Sequence, residues 1–403
     1  MKQFRKILAL LLVIALTFVA GACQPAATTT DTTGTQTTGG SETTTTAAVK
    51  VPAEKVKLGF ATFTTGAEQF RGIKAYYEYL AKTLNIEIIF SEAIGSAEKE
   101  LNFIESCATA GCVGIIGYYN VARATSVQLA IDKGMFYFGV AEEDAVYNEF
   151  KDNPLYLGGY YTGNADLNSG YTLGKTLIDA GAKNLVYASG GADLGVKMFI
   201  DRQAGFEKAI AEANAAGNDV KLAYNVKGWP NTPPYVSEQT AALGIAGIDG
   251  VASSFGIATW LQPINDLGLQ DSIKLSSIDA VSTTLVTPFE EGRMVGISSE
   301  PTGMWSLPIV MMINAAEKNN DVVRQADGLA AKISGPRWTI TGNADYTEYF
   351  TIENTGIWAV NDKDILSLVK SYDATASYQK ISDLYSDASF SFDAIKARRA
   401  AQK

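Results

Sequence analysis

The side chains that could carry chemistry in this chain are carboxylates, hydroxyls, guanidiniums and aromatic rings, because it contains no histidine. Without imidazole there is no Ser-His-Asp or Cys-His nucleophile, no histidine general base and no His-ligated zinc site. Carboxylate-pair hydrolysis survives that test. Asp279 and Glu300 could serve a surface glycosidase if their carboxyl groups were held about 5 to 10 Å apart, with one pKa raised, but no motif accompanies them. The first apolar run leads into Gly59-Phe60-Ala61-Thr62-Phe63, which is neither a P-loop nor a dinucleotide glycine pattern. The expectation is no cofactor, no metal and no enzymatic activity.

The other chemistry-bearing residues form short clusters: Thr64-Thr65-Gly66, Tyr118-Tyr119-Asn120, Glu142-Glu143-Asp144, Gly190-Gly191, Trp229, Phe255 and Asp279. Each follows an apolar run with strand character. Residues 56–61, 86–90, 113–117 and 135–140 read as buried strands, separated by helical periodicity at 67–84, 97–110 and 121–133. After a strand at 155–159 the pattern restarts. Helices at 167–180, 196–215, 235–246, 257–267 and 281–291 alternate with strands at 184–188, 220–226, 250–254, 273–278 and 294–299. A long helix at 304–318 leads to short strands near 338–340 and 356–360, and the tail from Asp362 reads as helices and loops.

Strands apolar on both faces that alternate with helices specify parallel, doubly wound sheets. The expected fold class is α/β, with two Rossmann-like lobes whose strand C-termini face a shared cleft, where such sheets bind ligands. Charged groups there give short, strong hydrogen bonds, and rings give flat walls for C–H faces. Phe70 in the first helix, and Phe63, Tyr118 and Phe255 at strand ends, are candidate walls. The plain alternative for each ring is core packing, and for Glu142 to Asp144 a solvated turn. Trp260, Trp305, Trp338 and Trp358 read as packing residues.

The chain has 403 residues, 47% hydrophobic and 19% charged, with a formal net charge of -10. Without clustered Lys and Arg it carries no nucleic-acid footprint. Lys2, Arg5 and Lys6 precede an apolar run at 7–22 that is shorter than the roughly 20 residues of a spanning helix. Ala20, Gly21 and Ala22 then precede Cys23. This pattern resembles a bacterial lipobox, which implies a signal peptide at 1–22, lipidation at Cys23 and a membrane anchor. Residues 23–52 are Thr-rich without hydrophobic period and read as a flexible tether spanning on the order of 25 to 30 Å. Cys107 and Cys112 flank Ala-Thr-Ala-Gly; outside the cytoplasm they could pair as a disulfide, or simply be two small buried residues.

From about residue 56 to 360 the chain resembles the type 1 periplasmic binding proteins, especially their ribose- and galactose-binding branch. Asn164-Ala165-Asp166, with Ser169-Gly170 and Gly174, resembles the segment where that family first crosses between lobes. Met198-Phe199-Ile200-Asp201-Arg202-Gln203-Ala204-Gly205-Phe206 resembles its R-x-x-G-F helix, Ser277-Ile278-Asp279 its G-F-D strand end, and Ser298-Ser299-Glu300-Pro301 its Q-x-P crossing with Glu for Gln. The resemblance implies lobes at 53–163 plus 300–354 and 164–299 plus 355–403, joined by a multi-strand hinge. Together with the strand-end and helix positions above, the expected ligand-binding set is Thr64, Phe70, Tyr118, Glu142, Asn164, Arg202, Trp229, Phe255, Asp279 and Glu300; the resemblance implies that in it Arg202 reaches a sugar, Asp279 accepts from its hydroxyls and Trp229 stacks. Arg202 and Asp279 could instead be structural ion-pair residues.

Two departures, Glu142-Glu143 after the fourth strand and Phe255 where Asn is usual, make the pocket more aromatic and more acidic. The implied function is capture of a sugar or sugar-like solute for an ABC importer, by a monomer that meets its permease outside the cytoplasm. A sensor subunit presenting a nucleoside, amine or autoinducer-like ligand would share the same fold.

Overall fold

The computed structural model describes residues 55–62, 65–66, 68–118, 122–194, 196–354 and 357–400. The signal segment, Cys23, the tether and Thr64 lie outside the described residues. Strands β1 (Val56–Ala61), β2 (Ile86–Phe90), β3 (Gly114–Gly117), β4 (Phe136–Val140) and β5 (Tyr156–Tyr161) alternate with helices α1 (Glu68–Leu80), α2 (Ala97–Thr109), α3 (Arg123–Asp132) and α4 (Asp144–Phe150). The second half repeats the scheme. Helices α5 (Ala165–Asp179), α6 (Lys197–Ala215), α7 (Pro233–Leu243), α8 (Ala258–Asp266) and α9 (Val286–Glu290) alternate with β6 (Asn184–Gly190), β7 (Lys221–Lys227), β8 (Gly250–Ser253), β9 (Lys274–Ile278) and β10 (Met294–Ser299). Helix α10 (Ser306–Ala316) and strands β11 (Ala331–Ser334) and β12 (Trp338–Ile340) follow.

The strands build two sheets, ordered β11-β5-β4-β3-β1-β2 and β12-β10-β9-β8-β6-β7. The first is parallel throughout. In the second only the edge strand β12 runs antiparallel, with Ile297 opposite Ile340 and Ser299 opposite Trp338. Central strands are buried residue after residue, as in β3 and β5, because helices cover both faces. The expected α/β architecture of two doubly wound lobes is therefore present.

The chain passes between the sheets three times: from β5 into α5, from β10 through Glu300 toward α10, and from β11 to β12 across Gly335-Pro336-Arg337. The second passage sends α10 back against β4 and β5. That helix buries Leu307, Ile309, Val310, Met311, Met312 and Ile313, which explains why its sequence is apolar on every side.

Three expectations are corrected. The third passage lies at 334–338, where the sequence reading placed a lobe boundary after 354, because β11 went unrecognised; it is only four residues long, too short for its alternation of buried and exposed positions to register. Residues 357–360 form no strand; they follow a helix at Gly342–Asn354 that lacks a clear apolar stripe. The tail is not confined to one lobe. Asp362 accepts from Tyr79 and Thr83 at 3.0 Å each, while the Trp338 indole donates to Phe390 O at 2.7 Å.

Cys107 and Cys112 are free thiols, both buried. They meet because α2 ends in a left-handed glycine turn: Gly111 has φ of 76°, and Cys112 N–H donates to Cys107 O at 2.9 Å. This six-to-one bond brings the flanking side chains together without a covalent link.

The small residues of the first-crossing segment have a packing role. A Cβ on Gly170 would lie 1.8 Å from Arg202 O, and one on Gly205 would lie 1.9 Å from Leu167 O. Helices α5 and α6 thus touch backbone to backbone, which carries Arg202 up against the start of α5.

Candidate functional site

The strand ends of the second sheet gather around one turn, Ser254-Phe255-Gly256-Ile257, which leads from β8 into α8. Arg202 on α6 donates from its Nη1 to Ser254 O at 2.9 Å. Asp279, just past β9, takes the Gly256 and Ile257 N–H groups on its Oδ2 at 3.0 Å each, and the Ser277 hydroxyl at 3.0 Å. Gly256 supplies the φ of 74° that aims both amides at one oxygen. Burial nevertheless pushes the Asp279 carboxyl up to about 6 against these donors, with the Ile257 amide, Ser277 and the Gly256 amide pulling it back.

Phe255 belongs to an aromatic trio. Its ring centre lies 4.9 Å from that of Trp229 and 5.3 Å from that of Phe199, and Trp229 meets Phe199 edge-on at 5.7 Å. The trio rests on Gly190-Gly191, where added Cβ atoms would come within 2.8 Å of Phe255 and 2.9 Å of Phe199. Phe199 is buried and Trp229 is 39% exposed. The arrangement is a partly open apolar wall beside a carboxylate.

The crossings carry a continuous polar chain. Arg202 Nε donates to Asp166 Oδ1 at 2.8 Å, and Arg337 Nη2 reaches the same oxygen at 3.1 Å. Arg337 Nη2 also lies 2.6 Å from Glu300 Oε1. Glu300 Oε2 accepts from Gln69 Nε2 at 3.4 Å, and Gln69 Oε1 accepts from the Tyr118 hydroxyl at 3.2 Å. Tyr118 leans edge-on against Trp305 at 4.8 Å. The four charged side chains are each no more than 11% exposed. The two guanidiniums, led by Arg202, hold the Asp166 carboxyl below its usual range against the desolvation that opposes them. The chain thus links α1 and β3 of the first lobe, all three crossings, and α6 of the second.

The structure brings Tyr118, Arg202, Trp229, Phe255, Asp279 and Glu300 to the strand ends and crossings. Arg202 pairs with Asp166 and donates to a backbone carbonyl. Asn164 is exposed at the first crossing, as the N-cap residue of α5. Two expected ligand residues turn inward. Phe70 is 8% exposed and packs edge-on to Phe90 at 5.5 Å, since it lies on the apolar stripe of α1. Glu142 follows Ala141, whose φ of 54° swings the chain under the sheet. There its fully buried carboxylate faces Arg123 at 4.0 Å, and Arg123 ties the ends of β3 and β4 by donating to Gly117 O at 2.7 Å and Val140 O at 3.0 Å.

The sequence reading missed Gln69, Asp166, Phe199 and Arg337. Asp166 and Phe199 sit inside the very phrases that carry the resemblance. Arg337 had one signal: a Glu at the Q-x-P crossing demands a cation nearby once it is buried. The four expected packing tryptophans are all at most 5% exposed.

No family model matches this chain, and no curated protein does. Solved structures do. An ABC transporter periplasmic solute-binding protein from Actinobacillus succinogenes, with bound D-allose, aligns with a TM-score of 0.60 at 19% identity over 73% of this chain and 100% of its own. The periplasmic binding protein component of an arabinose ABC transporter from Shewanella, bound to L-arabinofuranose, gives 0.60 at 18% over 75% and 97%. A Bacillus halodurans solute-binding protein with bound myo-inositol gives 0.57 at 15% over 73% and 97%. This chain therefore has the fold of the type 1 periplasmic binding proteins of sugar ABC transporters. Among the described residues no helix is long and apolar enough to cross a membrane.

Proposed function

We propose that this protein is the solute-binding component of an ABC importer, holding a sugar or sugar-like polar solute between its lobes. The observation that carries the reading is the placement of Asp279 beside the wall of Phe199, Trp229 and Phe255, at the strand ends of a two-lobed α/β fold. A carboxylate anchored through one oxygen can offer the other to hydroxyl donors, while the rings accept the C–H face of a saturated ring. Tyr118 and Asn164 would complete the contacts from the first lobe and first crossing. The solved neighbours named with D-allose, L-arabinofuranose and myo-inositol agree in chemical class.

Capture would work by closure. A solute that touches both lobes stabilises the closed state by its differential affinity, and a permease can then read that state. A lipid on Cys23 and the tether after it would hold a monomer at the outer face of the membrane. The test is a thermal-shift screen of the purified protein against monosaccharides, cyclitols, nucleosides and small amines, because a ligand that binds only the folded state raises Tm. A sugar or cyclitol hit lost in Asp279→Ala and Trp229→Ala supports the reading. Hits that survive both changes, or a response to amines alone, overturn it.

A further inference from the structure

We infer that Arg337, at the third crossing, is a specificity-determining residue that sets the charge selectivity of the cleft. This rests on the solute-binding reading above. The polar chain alternates in sign, Glu300, Arg337, Asp166, Arg202, with contacts of 2.6, 3.1 and 2.8 Å. Two carboxylates and two guanidiniums cancel. Arg337 is the member that bridges both carboxylates, so its loss leaves Glu300 without a cation and the crossings with excess negative charge. At 8% side-chain exposure its charge is poorly screened by solvent, and removing one partner of such a set leaves an uncompensated buried charge.

The consequence for ligands follows from what is already occupied. Both guanidiniums of the chain already face carboxylates, so the positive charge that a ligand phosphate or carboxylate would seek is largely neutralised. Asp279 adds a further acceptor close by. A ligand here gains from presenting donors and loses by presenting an anion. Arg337 also keeps one buried donor, its Nε, without a hydrogen-bond partner, and an uncharged acceptor such as a hydroxyl or ring oxygen suits it.

The experiment is calorimetric titration of wild type, Arg337→Met and Arg337→Lys with two matched sets: D-glucose, D-glucosamine and D-glucuronate, and D-galactose, D-galactosamine and D-galacturonate. Wild type is expected to bind the neutral member of a set at least tenfold tighter than the uronate. Arg337→Met should raise the ratio of amino-sugar to neutral-sugar affinity at least tenfold, because Asp166 and Glu300 then carry excess charge. Arg337→Lys should restore the wild-type ratio while leaving affinity weaker, since one ammonium cannot copy the fork. A purely structural role would weaken all three sugars alike; that result, or a wild type that prefers uronates, overturns the inference while the solute-binding reading stands. If wild type binds no member of either set but takes a non-sugar solute in the screen above, the sugar reading fails and takes the inference with it.

Discussion

Trp229 lies against Phe255 with ring centres 4.9 Å apart and planes tilted by 54°, yet Trp229 keeps 39% of its surface open. A large ring held from behind but bare in front is, on the proposed function, a surface a bound solute would meet. Trp229→Ala is therefore expected to weaken solute binding by roughly tenfold or more, about 1.4 kcal/mol, with little change in Tm. Phe199→Ala removes the buried support and should cost stability as well, about 3 to 5 kcal/mol for a buried Phe. Thermal melts with and without ligand separate the two effects.

On the proposed function, Asp279 should give binding a pH signature. Its carboxyl is pushed up to about 6, chiefly by burial, and only the ionised form accepts hydroxyl hydrogen bonds with both oxygens. Affinity should be flat above pH 7 and fall as pH drops through about 6, approaching tenfold per unit where the acid form dominates. Asp279→Asn should bind more weakly with no such slope. A slope that persists in the Asn variant assigns the titration elsewhere.

Glu100 offers a stability test away from the cleft. It is fully buried on α2, and desolvation lifts it to about 7 against the pull of Arg123 and Ser126. A carboxyl raised in the folded state binds its proton more tightly there than in the unfolded chain. Its contribution is thus most favourable below about pH 4.5 and is lost as pH rises toward 7. Glu100→Gln, neutral at every pH, should raise stability at pH 8 by on the order of 1 to 3 kcal/mol and flatten the dependence. Denaturant melts at pH 5 and pH 8 read this directly, and a variant less stable at pH 8 contradicts it.

Two glycine substitutions should differ in sign. Gly205→Ala drives a methyl to 1.9 Å from Leu167 O and must part α5 from α6, costing roughly 3 kcal/mol, the upper end of overpacking penalties. Gly72→Ala on α1 meets nothing nearer than Thr302 Oγ1 at 3.7 Å and should gain up to about 1 kcal/mol of helix propensity. Since Arg202 rides on the same helix contact, Gly205→Ala should also weaken solute binding.

What the sequence determined by itself was the kind and order of the elements. A parallel strand buried on both faces writes a continuous apolar run, and a covering helix writes a 3.6-residue period, so β1 to β10 and their main helices were legible one after another. The absence of histidine was equally local information and removed whole classes of mechanism. The polar clusters fell at strand ends because the chain turns there. Tertiary structure alone decided which of those polar groups meet. Arg337 and Asp166 lie 171 positions apart, and an ion pair between distant segments leaves no periodic trace in either one. The same holds for Phe70 and Glu142, whose residue types suit a pocket but whose backbones turn them inward, and for Arg202, which the glycine contact of α5 with α6 delivers to Asp166. Pattern is set by neighbours along the chain, whereas a site is set by neighbours across it.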